Sequence, residues 1–500
     1  MSAFPGYENH DATALADLVR RKEVTPLELV DAAIARIEAV NPRVNAVIHR
    51  MFEQARSAAV GTLPDGPFRG VPFLLKDILA AYAGEPLTSG SRFYGDWTPS
   101  HSSYFVERLL ATGMIVVGKT SLPELALMPV TEPERFGPTR NPWDLARTCG
   151  GSSGGSAVAV ATRMVPIASG GDGGGSLRTP ASCCGVFGFK PSRGRVPTGP
   201  DEGEVWEGFS VEHVITRSVR DSAAILDATA GPAPGELYPL PRSATPFRAD
   251  VDRPPRRLRI AMTTTSPLAG DAHPECVAAI ADAAKLLKEL GHEVIEAKLE
   301  LDGAEWKKSI AVMMSGVCAA DVRDAEQRVG KKATRHGWDR STWLSRSIGE
   351  SFTAGEFAAA VRTQFRLGRQ VAAFVAGYDA WLTPTLGQPP IEIGALMATG
   401  MKLRVEQLVA TLQLGSLAKR SPDFAALVDR IFSFMSFTML INAPGLPSMS
   451  VPLHWNSAGL PIGVMLTGQL GDEATLFQLA GQLERARPWS DRRPPASELA

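Results

Sequence analysis

Gly150-Gly151-Ser152-Ser153-Gly154-Gly155-Ser156-Ala157, followed by Gly170-Gly171-Asp172-Gly173-Gly174-Gly175-Ser176, is the stretch on which the reading of this chain turns. Eleven glycines lie between Gly150 and Gly188. Glycine gives up more backbone freedom on folding than any other residue, so such density needs a purpose. A flexible Gly/Ser linker does not fit, because the largely apolar run Ala157 to Ala168 separates the two clusters. A phosphate cradle is a second reading. The third is backbone that approaches a reacting group closely and aims its N–H groups at it. The embedded serines are then nucleophile candidates beside an oxyanion hole.

Two motif expressions test the alternatives. Gly113-Met114-Ile115-Val116-Val117-Gly118-Lys119-Thr120 matches the P-loop pattern. A P-loop wraps phosphate with small residues, whereas Met, Ile, Val and Val are strand formers, so a nucleotide-binding module is disfavoured. Gly150-Gly151-Ser152-Ser153-Gly154 matches the nucleophile-elbow pattern, which needs an apolar strand before the serine. Here Arg140-Asn141-Pro142-Trp143-Asp144-Leu145-Ala146-Arg147 reads as loop, and His213, His273, His292, His336 and His454 lie in no recognisable catalytic context.

Without a positioned histidine, a desolvated lysine can activate a serine. Lys76 follows the apolar run Val71-Pro72-Phe73-Leu74-Leu75. That places its backbone deep in the core, where an unpaired lysine is uncommon. A buried ion pair with Asp77 or a remote acid is the competing account of the same residue.

The bulk numbers bound the class. Net charge is −1 over 500 residues, so no nucleic-acid partner is implied. Five cysteines, Cys149, Cys183, Cys184, Cys276 and Cys318, show no CxxC spacing. They read as buried thiols of a reducing, cytoplasmic compartment. Met1 to Asp17 is mostly polar and offers no signal sequence, and no segment reaches 18 uncharged apolar residues, so no membrane span is expected. None of the histidines shows HExxH or HxH spacing, so neither metal nor cofactor is expected.

Along the chain, Thr25-Pro26-Leu27-Glu28 is a capping box opening a helix that ends at Asn41-Pro42. Short apolar strands are predicted at 71–75, 114–117, 258–262, 292–297, 449–453 and 462–466, with a strand end at 381–385. Helices are predicted at 105–110, 156–164, 275–290 and 473–485, and Ser121-Leu122-Pro123-Glu124 opens a further one. The alternation predicts an α/β fold with a mixed twisted sheet covered by helices on both faces. Despite the length, no linker enforces a division, so one large domain is expected. It comprises an N-terminal helical segment over about 1–60, a catalytic core over about 65–230, a variable helical region over about 300–435 and a C-terminal sheet and helix over about 436–490. Residues 231–255 read as a surface crossing and 485–500 as a surface tail.

Taken together, Lys76 after its apolar run, Gly150 to Ser156, and Asp172-Gly173-Gly174-Gly175-Ser176-Leu177-Arg178-Thr179-Pro180-Ala181 resemble the amidase signature family. The likeness continues through Gly185-Val186-Phe187-Gly188-Phe189-Lys190-Pro191-Ser192, Thr216-Arg217-Ser218-Val219-Arg220-Asp221, Asn442-Ala443-Pro444-Gly445-Leu446-Pro447 and Gly459-Leu460-Pro461-Ile462-Gly463. Within the family, Thr131-Glu132-Pro133 and Phe136-Gly137-Pro138-Thr139-Arg140-Asn141-Pro142-Trp143 resemble bacterial 6-aminohexanoate cyclic dimer hydrolases. The resemblance implies a Ser–cis-Ser–Lys triad: Ser176 as nucleophile, Ser152 as bridge after a cis Gly151–Ser152 peptide, Lys76 as base. It implies an oxyanion hole from the backbone of Gly173, Gly174, Gly175 and Ser176, with Ser153, Asp172 and Arg178 bracing the loop. The implied substrate is a small amide, the implied cofactor none, and a homodimer is compatible. The amidase subunit of an aminoacyl-tRNA amidotransferase is similar to the family too. Many members carry Thr-Asp-Thr-Gly-Gly-Ser where this chain has Gly171-Asp172-Gly173-Gly174-Gly175-Ser176, which predicts more room beside the nucleophile. The substrate pocket is expected from Leu125 to Val130 and Ser309 to Ala320, under a lid drawn from Trp343 to Arg430.

Overall fold

The structure, a computed structural model, describes residues 4–398 and 414–497. Its strands in chain order are β1 (Val47–Arg50), β2 (Pro72–Lys76), β3 (Ile115–Thr120), β4 (Ile167–Asp172), β5 (Phe187–Lys190), β6 (Val211–Thr216) and β7 (Arg259–Met262). They continue with β8 (Thr265–Ser266), β9 (Gly270–Asp271), β10 (Glu293–Glu296), β11 (Ala380–Pro384), β12 (Ser448–Trp455) and β13 (Pro461–Thr467). Eleven of them form one sheet in the order β1-β3-β2-β4-β6-β5-β12-β13-β11-β7-β10, and β8 with β9 makes a separate ribbon. The β3–β2, β2–β4, β11–β7 and β7–β10 pairs are parallel, and the other six pairs are antiparallel. Every residue of β2, β3, β4 and β13 is buried. Alternate side chains point to opposite faces, so burial of all of them means that both faces are covered, as the sequence predicts.

The connection from β3 to β4 is the part of the fold that matters for chemistry. It carries the first glycine cluster and ends in the helix Gly154–Ala161. That helix is glycine-rich because it lies against backbone: a Cβ on Gly155 would sit 2.5 Å from Ser121 N. The clusters are close-packed elements, not linker. Parallel pairing of β2 with β4, with Leu74 beside Ala168, brings the C-terminal ends of the two strands together. Loops at the carboxyl edge of parallel strands are where open α/β sheets place their ligands.

Several expectations are met and others corrected. The capping box forms, with Glu28 N donating to Thr25 Oγ1 at 3.3 Å and Thr25 N donating to Glu28 Oε2 at 2.8 Å. Its helix does not stop at Asn41-Pro42 but runs on to Val44. Pro42 removes one donor there, from the carbonyl of Glu38, an exposed residue that water can serve. Ser121 to Glu124 opens no helix; it leads to a single 3₁₀ turn, Glu124–Ala126, because Leu125 takes φ 50° and its N–H goes to Ser89 O. The P-loop look-alike is strand β3. Its Lys119 is fully buried, 3.8 Å from Asp77. The C-terminal tail is not loose: Trp489 is buried, and its Nε1 donates to Arg217 O at 2.7 Å. The five cysteines are buried and unbridged. No helix among the described residues is long and apolar enough to cross a membrane.

Candidate active site

Lys76 is the last residue of β2, 3% exposed, and its Nζ donates to Ser152 Oγ at 2.7 Å. Its backbone N–H is held by Ser169 Oγ of β4 at 2.7 Å. The peptide between Gly151 and Ser152 is cis. Asp77 does not pair with Lys76; it accepts from Thr88 and faces Lys119, which disposes of the ion-pair account of Lys76. Burial pushes the Lys76 ammonium down to about 7, against the opposing pull of Asp172 and Glu212. At neutral pH a large fraction of Lys76 is therefore a neutral amine, able to take a proton.

Ser176 follows β4 after three glycines and is only partly buried. Lys76, Ser152 and Ser176 line one cleft of about 970 Å³. Ser176 Oγ makes no hydrogen bond among the described residues and is open to that cleft. Ser153 ties the two glycine clusters together: its N–H donates to Ser176 O, and its Oγ bridges the N–H and C=O of Gly171, all at 3.3 Å.

The loop before Ser176 is built around Asp172. Its carboxylate accepts from Gly175 N at 2.7 Å, Leu177 N at 3.2 Å, Arg178 Nε at 3.0 Å and Arg178 Nη2 at 2.9 Å. Burial alone would raise the acid, but the Arg178 guanidinium and Asn442 hold it at about 2. Asp172 is thus an anion that shapes the loop, not a proton carrier. The Gly175 N–H is consequently committed to Asp172, which removes it from the expected oxyanion donors. The N–H groups of Gly173, Gly174 and Ser176 have no acceptor among the described residues.

A second cleft, of about 1790 Å³, meets the first at Ser176 and Trp206. Its walls include Met128 and Pro129 from the predicted 125–130 stretch, Ile310 and Met314 from 309–320, and Leu427 and Val428 from the predicted lid, with Ile431 just beyond it. Residues 399–413 of that lid lie outside the described residues. The extra room expected from the glycines is partly taken: a Cβ on Gly173 would meet Trp206 Cε3 at 2.5 Å, and one on Gly174 would meet the methyl of Met439.

Against known proteins, the model of the amidase family matches residues 28–477. The chain belongs to the amidase signature family. The amidase of Paenarthrobacter ureafaciens named 6-aminohexanoate-cyclic-dimer hydrolase is 38% identical over 492 residues, covering 97% of this chain and 96% of that protein. A solved structure of 6-aminohexanoate cyclic dimer hydrolase complexed with substrate has a TM-score of 0.88 at 35% identity, over 98% of this chain and 100% of that one. A bacterial aryl acylamidase of the same family has a TM-score of 0.83 at 26% identity, over 96% of this chain and 97% of that one. This chain is likewise an amidase, an enzyme that hydrolyses amide C–N bonds.

The amidase site includes residues that sequence reasoning did not single out. Asn442 receives Arg178 Nη2 on its Oδ1 at 2.7 Å and donates to the backbone carbonyl and carboxylate of Asp172, both at 2.9 Å. Thr438 Oγ1 donates to Gly174 O at 2.7 Å. These two clamp the serine loop from a distance of more than 250 residues along the chain, which local pattern cannot reveal. Glu212, Trp206 and Asp321 also line the cleft of Lys76, Ser152 and Ser176. Of these, Glu212 carried a signal: a carboxylate at the second position of the run Val211 to Thr216 that β6 buries.

Proposed function

We propose that this amidase works through a covalent acyl-enzyme formed on Ser176. Lys76, neutral, takes the proton of Ser152 as Ser152 takes that of Ser176, and the Ser176 Oγ–carbonyl carbon bond forms. The developing oxyanion is held by the backbone N–H groups of Gly173, Gly174 and Ser176, aimed without side chains in the way. The relay then runs backward. Ser152 gives a proton to the leaving nitrogen and recovers one from Lys76, and the C–N bond breaks. Water attacks the ester in the same relay, releasing the acid and restoring Ser176. The observation that carries this reading is the 2.7 Å hydrogen bond from Lys76 Nζ to Ser152 Oγ inside the cleft that Ser176 lines.

The substrates are small amides: linear or cyclic amide oligomers, aryl amides or carbamates. The similarity to a cyclic-dimer hydrolase and to an aryl acylamidase supports this range, as does the apolar lining of the larger cleft. Turnover of one such panel by wild type, Ser176→Ala, Ser152→Ala and Lys76→Ala tests it. Each variant is expected to lose on the order of 10³-fold or more in kcat/KM on every substrate that wild type hydrolyses. Undiminished hydrolysis by Ser176→Ala would rule the mechanism out.

A further inference from the structure

The two clefts that meet at Ser176 differ in chemistry next to the serine. The larger is mostly apolar around Ile310, Met314, Leu427, Ile431 and Met435, with the acids Glu124, Glu132, Glu134 and Asp339 beside Arg340 also in its lining. The smaller is lined by the carboxylates Glu202, Glu204, Glu212, Asp321 and Asp324, against the cations Lys76 and Arg328. Arg328 is taken up by its ion pair with Glu202. Lys76 is held by Ser152 and is a neutral amine in a large fraction of molecules at neutral pH. The helix Gly303–Val329 puts Asp321, Asp324 and Arg328 on one face by spacings of three and four residues.

Of the four among these acids without a direct partner, Glu212 and Asp321 are the two that are not exposed. Glu212 is 4% exposed, yet among the described residues neither oxygen makes a hydrogen bond or ion pair, and its side chain lines the cleft. Asp321 also makes none and also lines the cleft. An isolated buried carboxylate is costly unless a cation or donor joins it, and burial raises Glu212 to about 8 and Asp321 to about 7, so an arriving ammonium draws both into their charged forms. The walls between the acids are aromatic: Tyr94, Trp97 and Trp206, with the Tyr94 and Trp97 rings 6.1 Å apart. Carboxylates around aromatic faces are the chemistry that holds an ammonium group. The acids do not converge as metal ligands do; no trio of His, Cys, Asp or Glu among the described residues is close enough to hold a metal ion.

We propose that the acidic cleft takes a protonated amine carried by the substrate, so that the preferred amides bear an ammonium group on one side of the scissile bond and a hydrocarbon chain on the other. This rests on the reading of Ser176 as the acylated residue, which both clefts share. The amine sits between Glu212 and Asp321 against the indole of Trp206, while the hydrocarbon runs past Met314 and Ile431. An ammonium there also disfavours protonation of Lys76, so binding and activation of the base reinforce one another.

The test compares two ammonium amides with their neutral isosteres: N-(6-aminohexyl)hexanamide against N-heptylhexanamide, and 6-amino-N-hexylhexanamide against N-hexylheptanamide. One ammonium amide is expected to exceed its isostere in kcat/KM by about tenfold or more, as a charge-assisted contact in a partly buried site would give. That ratio should fall by about tenfold in Asp321→Asn and in Glu212→Gln, the isosteric replacements. Ratios at or below one for both pairs, with the neutral amides acylating Ser176, would overturn the ammonium proposal and leave the amidase mechanism standing. Failure of every amide to acylate Ser176 would instead overturn the mechanism. Calorimetric binding of hexylammonium against 1-hexanol then decides the cleft's preference by itself. Tighter binding of hexylammonium, weakened in Asp321→Asn, supports the proposal, and equal binding contradicts it.

Discussion

Lys76 and its acidic neighbours set the pH behaviour of the site. As the proposed base, Lys76 must be neutral to act, and burial holds it at about 7, so activity should rise with pH through about 7 and level off above it. Two carboxyls oppose that shift, Asp172 and Glu212. Asp172 is ionised at all working pH, whereas burial pushes Glu212 up to about 8. Glu212 therefore carries its charge in only a minority of molecules near pH 7, and removing it removes a partial stabiliser of protonated Lys76. In Glu212→Gln the rising limb of acylation against pH should therefore move to lower pH; a limb that moves upward would refute this coupling. Lys76→Arg should be inactive at every pH, because a guanidinium does not deprotonate in a protein. Asp172→Asn is expected to lower stability by about 3–5 kcal/mol, since it leaves Arg178 buried and unpaired; the urea unfolding midpoint measures it. The lysine and both serines were legible in the sequence because each sits in a distinctive local run. Asn442 and Thr438 were not legible as parts of the serine loop, because only the folded chain brings them to Asp172 and Gly174.

At the scale of elements, the serine loop makes two demands on its glycines. Gly175 has φ +130°, and a Cβ there would lie 2.5 Å from Thr438 Cβ. Gly175→Ala should then cost about 1–3 kcal/mol in stability and disturb the loop that carries Ser176. A Cβ on Gly174 meets the ends of two flexible side chains, Met439 and, at 3.4 Å, Met435, which can swing away. Gly174→Ala should destabilise less than Gly175→Ala in the same unfolding experiment, and the reverse order would contradict the geometry. The helix Pro422–Phe434 lines the apolar cleft through Leu427 and Ile431. Ile431→Trp, which fills that cleft, should cut the preference for long-chain over short-chain amides by about tenfold, read from kcat/KM ratios. Strands β2, β3, β12 and β13 were legible from short apolar runs. The helix expected after β3 was not realised, because the chain there turns through Leu125 to meet Ser89.

Among the described residues the molecule is organised by one eleven-stranded sheet that joins the two halves of the chain, with β5 of the first half paired to β12 of the second. Composition and alternation announced an α/β fold, and the motif content announced the family. Strand order could not be read that way, since it depends on pairings between distant segments. The C-terminal tail illustrates the same limit. Its Pro and Arg content reads as surface, yet Trp489 is 4% exposed and docks on Arg217 O. Trp489→Ala should lower stability by about 3–5 kcal/mol, seen as a lower thermal or urea midpoint.

The central claim is that Ser176 is acylated through a relay ending on Lys76. The most direct measurement is the rate at which a fluorophosphonate adds to the protein across pH, with the modified peptide identified by mass spectrometry in wild type and Lys76→Ala. The account predicts a single adduct on Ser176, formed at a rate that rises through about pH 7 in wild type and is slower by orders of magnitude, without that limb, in Lys76→Ala. An adduct on Ser152 or Ser153 in place of Ser176, or an unchanged limb in Lys76→Ala, would contradict it.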